Sequence, residues 1–163
     1  AIEELKNAIE SETQKFKMYE SRGNALIEKK QFPQAKQFMY KSRYAQYECS
    51  IYLSMLSEIY VNSKNYNKAK QYAQKSIELY SEQWRSMLVL AQVFFQQRKW
   101  KSSVDWLDKS LDLNFKHFQS HLLMAKTKQK QKKKKDAIFH YLIAKDLNPK
   151  IESPSLEVLI PAS

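Results

Sequence analysis

The chain holds one glycine (Gly23), one cysteine (Cys49) and four prolines in 163 residues. Each scarcity removes a class of answers. A single glycine leaves no glycine-rich loop to cradle phosphates, of either the nucleotide-triphosphatase or the dinucleotide type. It also speaks against sheets joined by tight hairpins, whose turns favour Gly or Asn-Gly. One cysteine forms no internal disulfide and no Cys pair for zinc. Cys49 therefore reads as a small apolar packing residue, and the expected compartment is reducing, cytoplasmic or nuclear. No window approaches 18 apolar residues, so no membrane-inserted helix is expected.

Catalytic sets are missing as well. His117 and His121 stand four apart, but no Glu lies between them, and His121 falls at a packing position. His140 stands alone among apolar neighbours. The carboxylate pairs Glu3–Glu4 and Glu10–Glu12 lie in a solvated helical stretch. No metal, no cofactor and no enzymatic reaction are expected.

What is present is helical. Hydrophobic residues make up 43% and charged residues 28%, the balance of a helical globular protein with a real core. Four windows starting at Phe16, Ser50, Trp84 and Phe118 align at a period of 34 residues without an insertion. Repeat position 8 reads Gly23, Ser57, Ala91, Ala125; position 20 reads Ala35, Ala69, Ser103, Ala137; position 27 reads Ser42, Ser76, Ser110, Ala144. All twelve are Gly, Ala or Ser, types that supply only 30 of the 163 residues. Small residues are needed where helix backbones approach closely. Large residues fill the space between: Leu26, Tyr60 and Phe94 at position 11, and Phe32, Tyr66 and Trp100 at position 17. Pro33 opens a second helix and Pro149 follows the end of one.

This pattern, closing with Ala137, Tyr141, Ala144 and Pro149, resembles the tetratricopeptide repeat over residues 16–151. The resemblance implies an all-α fold, a right-handed α-solenoid of antiparallel helix pairs. The repeats are expected at 16–49, 50–83, 84–117 and 118–151. Extending the frame backwards makes residues 1–15, with Leu5, Ala8 and Ile9, the second helix of a repeat whose first helix is missing. The chain thus reads as a fragment of a longer protein. Residues 152–163 are expected to cap the last helix through Leu156, Val158, Leu159 and Ile160, or to act as a linear motif.

The resemblance also implies a concave groove lined by first helices. From the first repeat it takes Lys17, Glu20, Ser21, Asn24, Ile27 and Glu28, and from the second Ile51, Met55, Glu58 and Val61. The third supplies Arg85, Leu88, Val89, Gln92 and Phe95, and the fourth Leu122, Leu123, Lys126 and Lys130. The expected groove begins polar, turns apolar and ends basic. An apolar strip of that kind wants cover, either a partner's amphipathic helix or extended peptide or further parts of a longer chain. The carboxylate clamp by which chaperone adaptors of this family hold a C-terminus falls at Glu20, Asn24, Met55, Arg85 and Val89. Only Asn24 matches, with Arg85 a stand-in, so a chaperone adaptor would need a non-standard clamp.

Net charge is +11, and residues 118–151 carry nine Lys against Asp136 and Asp146. Seven of these, Lys126, Lys128, Lys130, Lys132, Lys133, Lys134 and Lys135, lie within ten residues around one turn. Lys128 and Lys134 replace the aromatics of positions 11 and 17, which predicts looser packing there. Such a cluster suits nucleic acid, an acidic protein or another anionic surface, although no aromatic residue is interleaved for base stacking. The leading expectation is a non-catalytic protein–protein interaction module, a scaffold or adaptor subunit of a larger complex.

Overall fold

The computed structural model describes residues 1–162; the last residue of the tail, Ser163, lies outside the described residues. Every regular element among them is helical: α1 (Ile2–Glu28), α2 (Phe32–Asn62), α3 (Tyr66–Leu79), α4 (Trp84–Gln96), α5 (Trp100–Leu113), α6 (Phe118–Lys130), α7 (Lys134–Leu147) and the short α8 (Pro154–Glu157). The chain divides into two compact units, Ala1–Ser86 and Met87–Ser163.

Four turns recur at the 34-residue period. Lys30, Lys64, Arg98 and Lys132 have φ of 54°, 63°, 59° and 62°. In each turn the amide of the positive-φ residue donates to a carbonyl three residues back, and the next amide donates to one five back. Lys30 to Ile27 with Gln31 to Leu26, at 2.9 Å each, is the first such pair. Lys132 to Gln129 (3.0 Å) with Lys133 to Lys128 (2.9 Å) is the last. This is the helix ending that usually recruits glycine. A chain with one glycine puts a cation there instead, where the helix dipole favours positive charge.

The other expected breaks divide into two groups. Helices end at Tyr80, Asn114 and Asn148, whose φ values of −145°, −142° and −141° leave the helical region. All three stand at repeat position 31. The same position holds Gln46 in the first repeat and Glu12 before it, both good helix formers. There the helix runs straight on: α1 spans 27 residues and α2 spans 31, crossing the junctions expected at 15/16 and 49/50. At 1.5 Å per residue these helices are about 40 and 46 Å long.

In the first unit α1 and α2 form one long antiparallel hairpin. Ser42 Oγ donates to the Phe16 carbonyl at 3.1 Å, and Cys49 Sγ donates weakly to the Ile9 carbonyl at 3.8 Å. Residues equally far from Lys30 therefore face each other. The core gathers Phe16, Ala45, Cys49 and Leu53, with Ile9, Tyr72 and Leu79 packed against it. The second half of α2 thus packs along the first half of α1. Tyr60 and Tyr72 stack at 5.5 Å with planes 6° apart, holding α3 to α2.

All twelve small residues of the repeat frame are buried. Their serines tie backbones together: Ser76 Oγ donates to the Ser50 carbonyl at 2.7 Å and Ser103 Oγ to the Ala91 carbonyl at 2.9 Å. The second unit buries Leu107, Met124 and Tyr141 almost completely. Its α6–α7 pair is fully helical despite the lysines, and Ala125, Ala137 and Ala144 are 0% exposed. The tail docks on this pair. Leu156 of α8 is 1% exposed in a cluster with Ala125, Ala137 and Tyr141. Glu157 accepts from the Tyr141 hydroxyl and the Lys145 ammonium, both at 2.6 Å. Leu159 packs on the same cluster, whereas Val158 is 80% exposed.

Candidate functional site

The groove residues expected from the repeat frame fall into separate rows. On α1, Lys17, Glu20, Ser21, Asn24 and Glu28 are exposed and, with Ala25, line an open cleft of about 480 Å³. Ile27 beside them is 43% exposed. On α2, Met55 is 40% exposed between half-buried Ile51, Glu58 and Val61. Hairpin geometry keeps these rows apart. Asn24 precedes Lys30 by six residues and Met55 follows it by twenty-five. The axial offset is about 28 Å, where side-by-side first helices would lie about 10 Å apart. The single groove expected over the first two repeats is therefore split.

The α2 row continues onto Arg85, at the start of α4. Burial pushes the Glu58 carboxyl above its usual range, and the Arg85 guanidinium pulls it partly back. The Arg85 guanidinium also lies 5.3 Å over the Trp84 ring. Ile51, Met55 and Glu58, four and then three residues apart, share one helix face. The row is thus an apolar strip with a desolvated carboxylate and a cation at its edge.

In the second unit the expected apolar middle is closed. Leu88 is 9% and Val89 1% exposed, so neither offers a surface to a ligand. Burial of Val89 also removes one position of the carboxylate clamp, and Met55 supplies no charge at another. Gln92 and Phe95 are half-buried, and Phe95 meets Trp100 edge-on at 5.2 Å. Leu122 and Leu123 are half-buried, with Leu122 packed against the cluster that holds Leu156. Lys126 is exposed.

Of the seven clustered lysines, Lys126, Lys130 and Lys132 to Lys135 are exposed. Lys128 turns inward: its side chain is 15% exposed and its ammonium lies 4.0 Å from Asp136. It also opposes the upward push that burial gives the Asp108 carboxyl. An inward lysine thus stands in place of the aromatic of position 11, and the expected loosening is not seen: α6 runs to Lys130 and α7 starts at Lys134.

The histidines pair differently from their sequence spacing. His117 Nδ1 lies 2.8 Å from Ser120 Oγ. His121 is fully buried, and its Nε2–H donates to the Phe115 carbonyl at 2.7 Å. That leaves its Nδ1 to accept from His140 Nδ1–H at 3.2 Å. So His140 is not alone: its ring stacks on His121 at 5.5 Å. Burial first, then the neighbouring His121 and Lys128, push the His140 pKa down to about 4 against the pull of Asp136. Among the described residues no group of three or more His, Cys, Asp or Glu is placed to hold a metal ion, and no helix is long and apolar enough to cross a membrane.

One surface went unread in the sequence. Between α1 and α2 a cleft of about 530 Å³ is lined by Tyr19, Tyr40, Tyr44, Ala45 and the charged Glu12, Lys15, Lys41 and Glu48. Tyr40 and Tyr44 are 59% and 66% exposed. Their spacing of four on one helix was the available signal. Lys41 stands over the Tyr19 ring at 5.8 Å, so the chain already places its own cation there.

Antiparallel helix pairs at a 34-residue period, with small residues at every close contact, define an all-α helical-repeat protein. A family model described as tetratricopeptide repeat matches residues 52–83, and one described as anaphase-promoting complex, cyclosome, subunit 3 matches residues 80–143. Neither model spans half of the chain, and together they support a tetratricopeptide-repeat assignment for this protein. Its fold is similar to that of the Arabidopsis OM64 TPR domain (17% identity over 70% of this chain and 93% of that one, TM-score 0.63). Pseudomonas aeruginosa pilF is similar too (22% identity, 96% and 70% covered, TM-score 0.58). So is YrrB, described as a TPR protein with an unusual peptide-binding site (16% identity, 96% and 83% covered, TM-score 0.56). At these identities the likeness concerns the fold. No curated protein matches the chain. The family-model matches support a protein–protein interaction module.

Proposed function

We propose that residues 1–151, capped by 152–163, form a non-catalytic scaffold or adaptor module that receives a partner's amphipathic helix or extended peptide on the α2 row. The observation that carries this reading is Met55, a large apolar side chain left 40% exposed in line with Ile51 and the Glu58–Arg85 pair. Apolar anchors ringed by polar groups are what such segments seek. The match to a subunit of a multi-subunit complex, and the peptide-binding site named for YrrB, support an assembly role. A reducing compartment suits Cys49, a buried thiol whose pKa is raised by desolvation. The test is to select peptides on the purified chain from a displayed library and measure their affinity by fluorescence anisotropy. Met55→Glu should weaken the selected peptides at least tenfold, whereas Phe139→Glu in the other unit should leave them unchanged. Equal affinity for the Met55→Glu variant would overturn the reading.

A second reading is favoured by the exposure of six of the seven clustered lysines. The α6–α7 turn contacts an anionic partner.

A further inference from the structure

The lysine run does not stand alone at its end of the second unit. α5 and α6 pack together and are joined by the short link 114–117, so they run antiparallel. The first residue of α5 therefore lies level with the last of α6. This brings the α4–α5 turn, with exposed Arg98, Lys99 and Lys101, to the same end as the α6–α7 turn. Arg98 and Lys132 occupy the same positive-φ position in their two turns. With neighbouring helices about 10 Å apart, the two turns lie about 20 Å from each other.

Charge dominates this end. Lys130 and Lys132 to Lys135 face solvent on one turn, and Arg98, Lys99 and Lys101 on the other. Of the nearby acids, Asp136 already has Lys128 beside it. No exposed large apolar residue lies on either turn. Leu113, Phe115, Leu142 and Leu147 belong to the opposite half of the unit, and Trp100 is half-buried against Phe95. On the helices that flank the turns, only Phe139 of α7, five residues beyond Lys134, is exposed in the near half. A protein interface has an apolar core within its polar rim, and a peripheral membrane site inserts apolar side chains. One exposed ring, about 8 Å along α7 from Lys134, makes no such core beside eight exposed cations.

We propose that the two turns together form a site for the phosphate backbone of double-stranded nucleic acid. The proposal rests on the second reading above and gives it a ligand class and a larger footprint. A duplex backbone is the partner whose affinity charge alone supplies, through counterion release. An edge of about 20 Å covers about six base pairs at 3.4 Å each, so five or more phosphates come within reach. A single exposed ring near the turns, Phe139, falls short of the successive stacking platforms that single strands need.

The test is fluorescence anisotropy of the whole chain with a duplex of about 24 base pairs of arbitrary sequence, titrated between about 50 and 200 mM salt. Binding is expected at the lower salt, with affinity falling about a thousandfold across the range, a log–log slope near −5. The variant R98Q/K99Q/K101Q should flatten the slope by about 2 to 3, and K132Q/K133Q/K134Q/K135Q by about 3 to 4. All seven side chains are exposed, so helical content by circular dichroism should not change. A slope unaffected by the first variant would overturn the two-turn site while leaving an anionic contact at the lysine run. Displacement of the duplex by polyglutamate at equal charge concentration would overturn the nucleic-acid class in favour of an acidic protein. No retention of any polyanion at low salt would overturn this proposal and the reading beneath it together.

Discussion

Replacing the four positive-φ cations by glycine should make the protein more stable, although each change removes a side chain and a favourable charge. Lys30, Lys64, Arg98 and Lys132 hold φ between 54° and 63°. For an L-residue with a Cβ this region costs about 1–2 kcal/mol. Glycine relieves that strain but loses more entropy on folding, about 0.5–1 kcal/mol. Loss of the cation from the helix end costs about 0.3 kcal/mol more. The balance is a gain of about 0.5 kcal/mol per turn and about 2 kcal/mol for all four, which lie far enough apart to add. Urea unfolding followed by circular dichroism reads this as a higher midpoint at unchanged slope. Lys30→Ala is the control: it removes the charge, keeps the strain and should destabilise slightly. A quadruple glycine variant less stable than the parent would refute the strain argument. The side chains would then be holding the turns by contacts worth more than the backbone costs.

Two further outcomes follow from the geometry. Gln46→Pro breaks the interior of a continuous α2 and should cost about 3 kcal/mol or more, whereas Asn114→Gly at a genuine helix end should cost only a few tenths; chemical unfolding compares them, and a Gln46→Pro penalty below about 1 kcal/mol would mean that the helix turns there. His140 makes stability depend on pH. Its folded pKa of about 4 lies below the ordinary 6.5, so the unfolded chain binds a proton that the folded one refuses. The contribution is complete above about pH 6.5 and is lost as pH falls toward 4. The full shift corresponds to about 3 kcal/mol, and partial exposure reduces this to about 1–2 kcal/mol. His140→Gln should flatten that part of the stability–pH curve; an unchanged slope would show that other groups cause it.

Much of the fold was readable because it repeats. The twelve small positions, Pro33 and Pro149 all sit where the 34-residue frame puts them, since close helix contacts and helix ends impose residue types directly. The two fused helices were not read, although the signal was present. Position 31 carries Tyr80, Asn114 and Asn148 where helices stop, but Gln46 and Glu12 where they continue. A frame applied uniformly hides such a difference in local propensity. The groove failed for the same reason, because Asn24 and Met55 share a face only if the helix between them turns. The burial of Val89, the inward course of Lys128 and the pairing of His121 with His140, nineteen residues on, arise from tertiary packing. No local pattern announces them.

A repeat-bearing sequence here folds its first unit as a hairpin of two unbroken helices, which sets the proposed partner row on α2, away from α1. The most direct measurement is the distance between spin labels at Asn24→Cys and Met55→Cys in a Cys49→Ser background, by pulsed electron resonance. Unbroken helices predict about 30 Å from the axial offset and the helix spacing. A distance near 10 Å would place the two first helices side by side, restore the single groove and contradict the account.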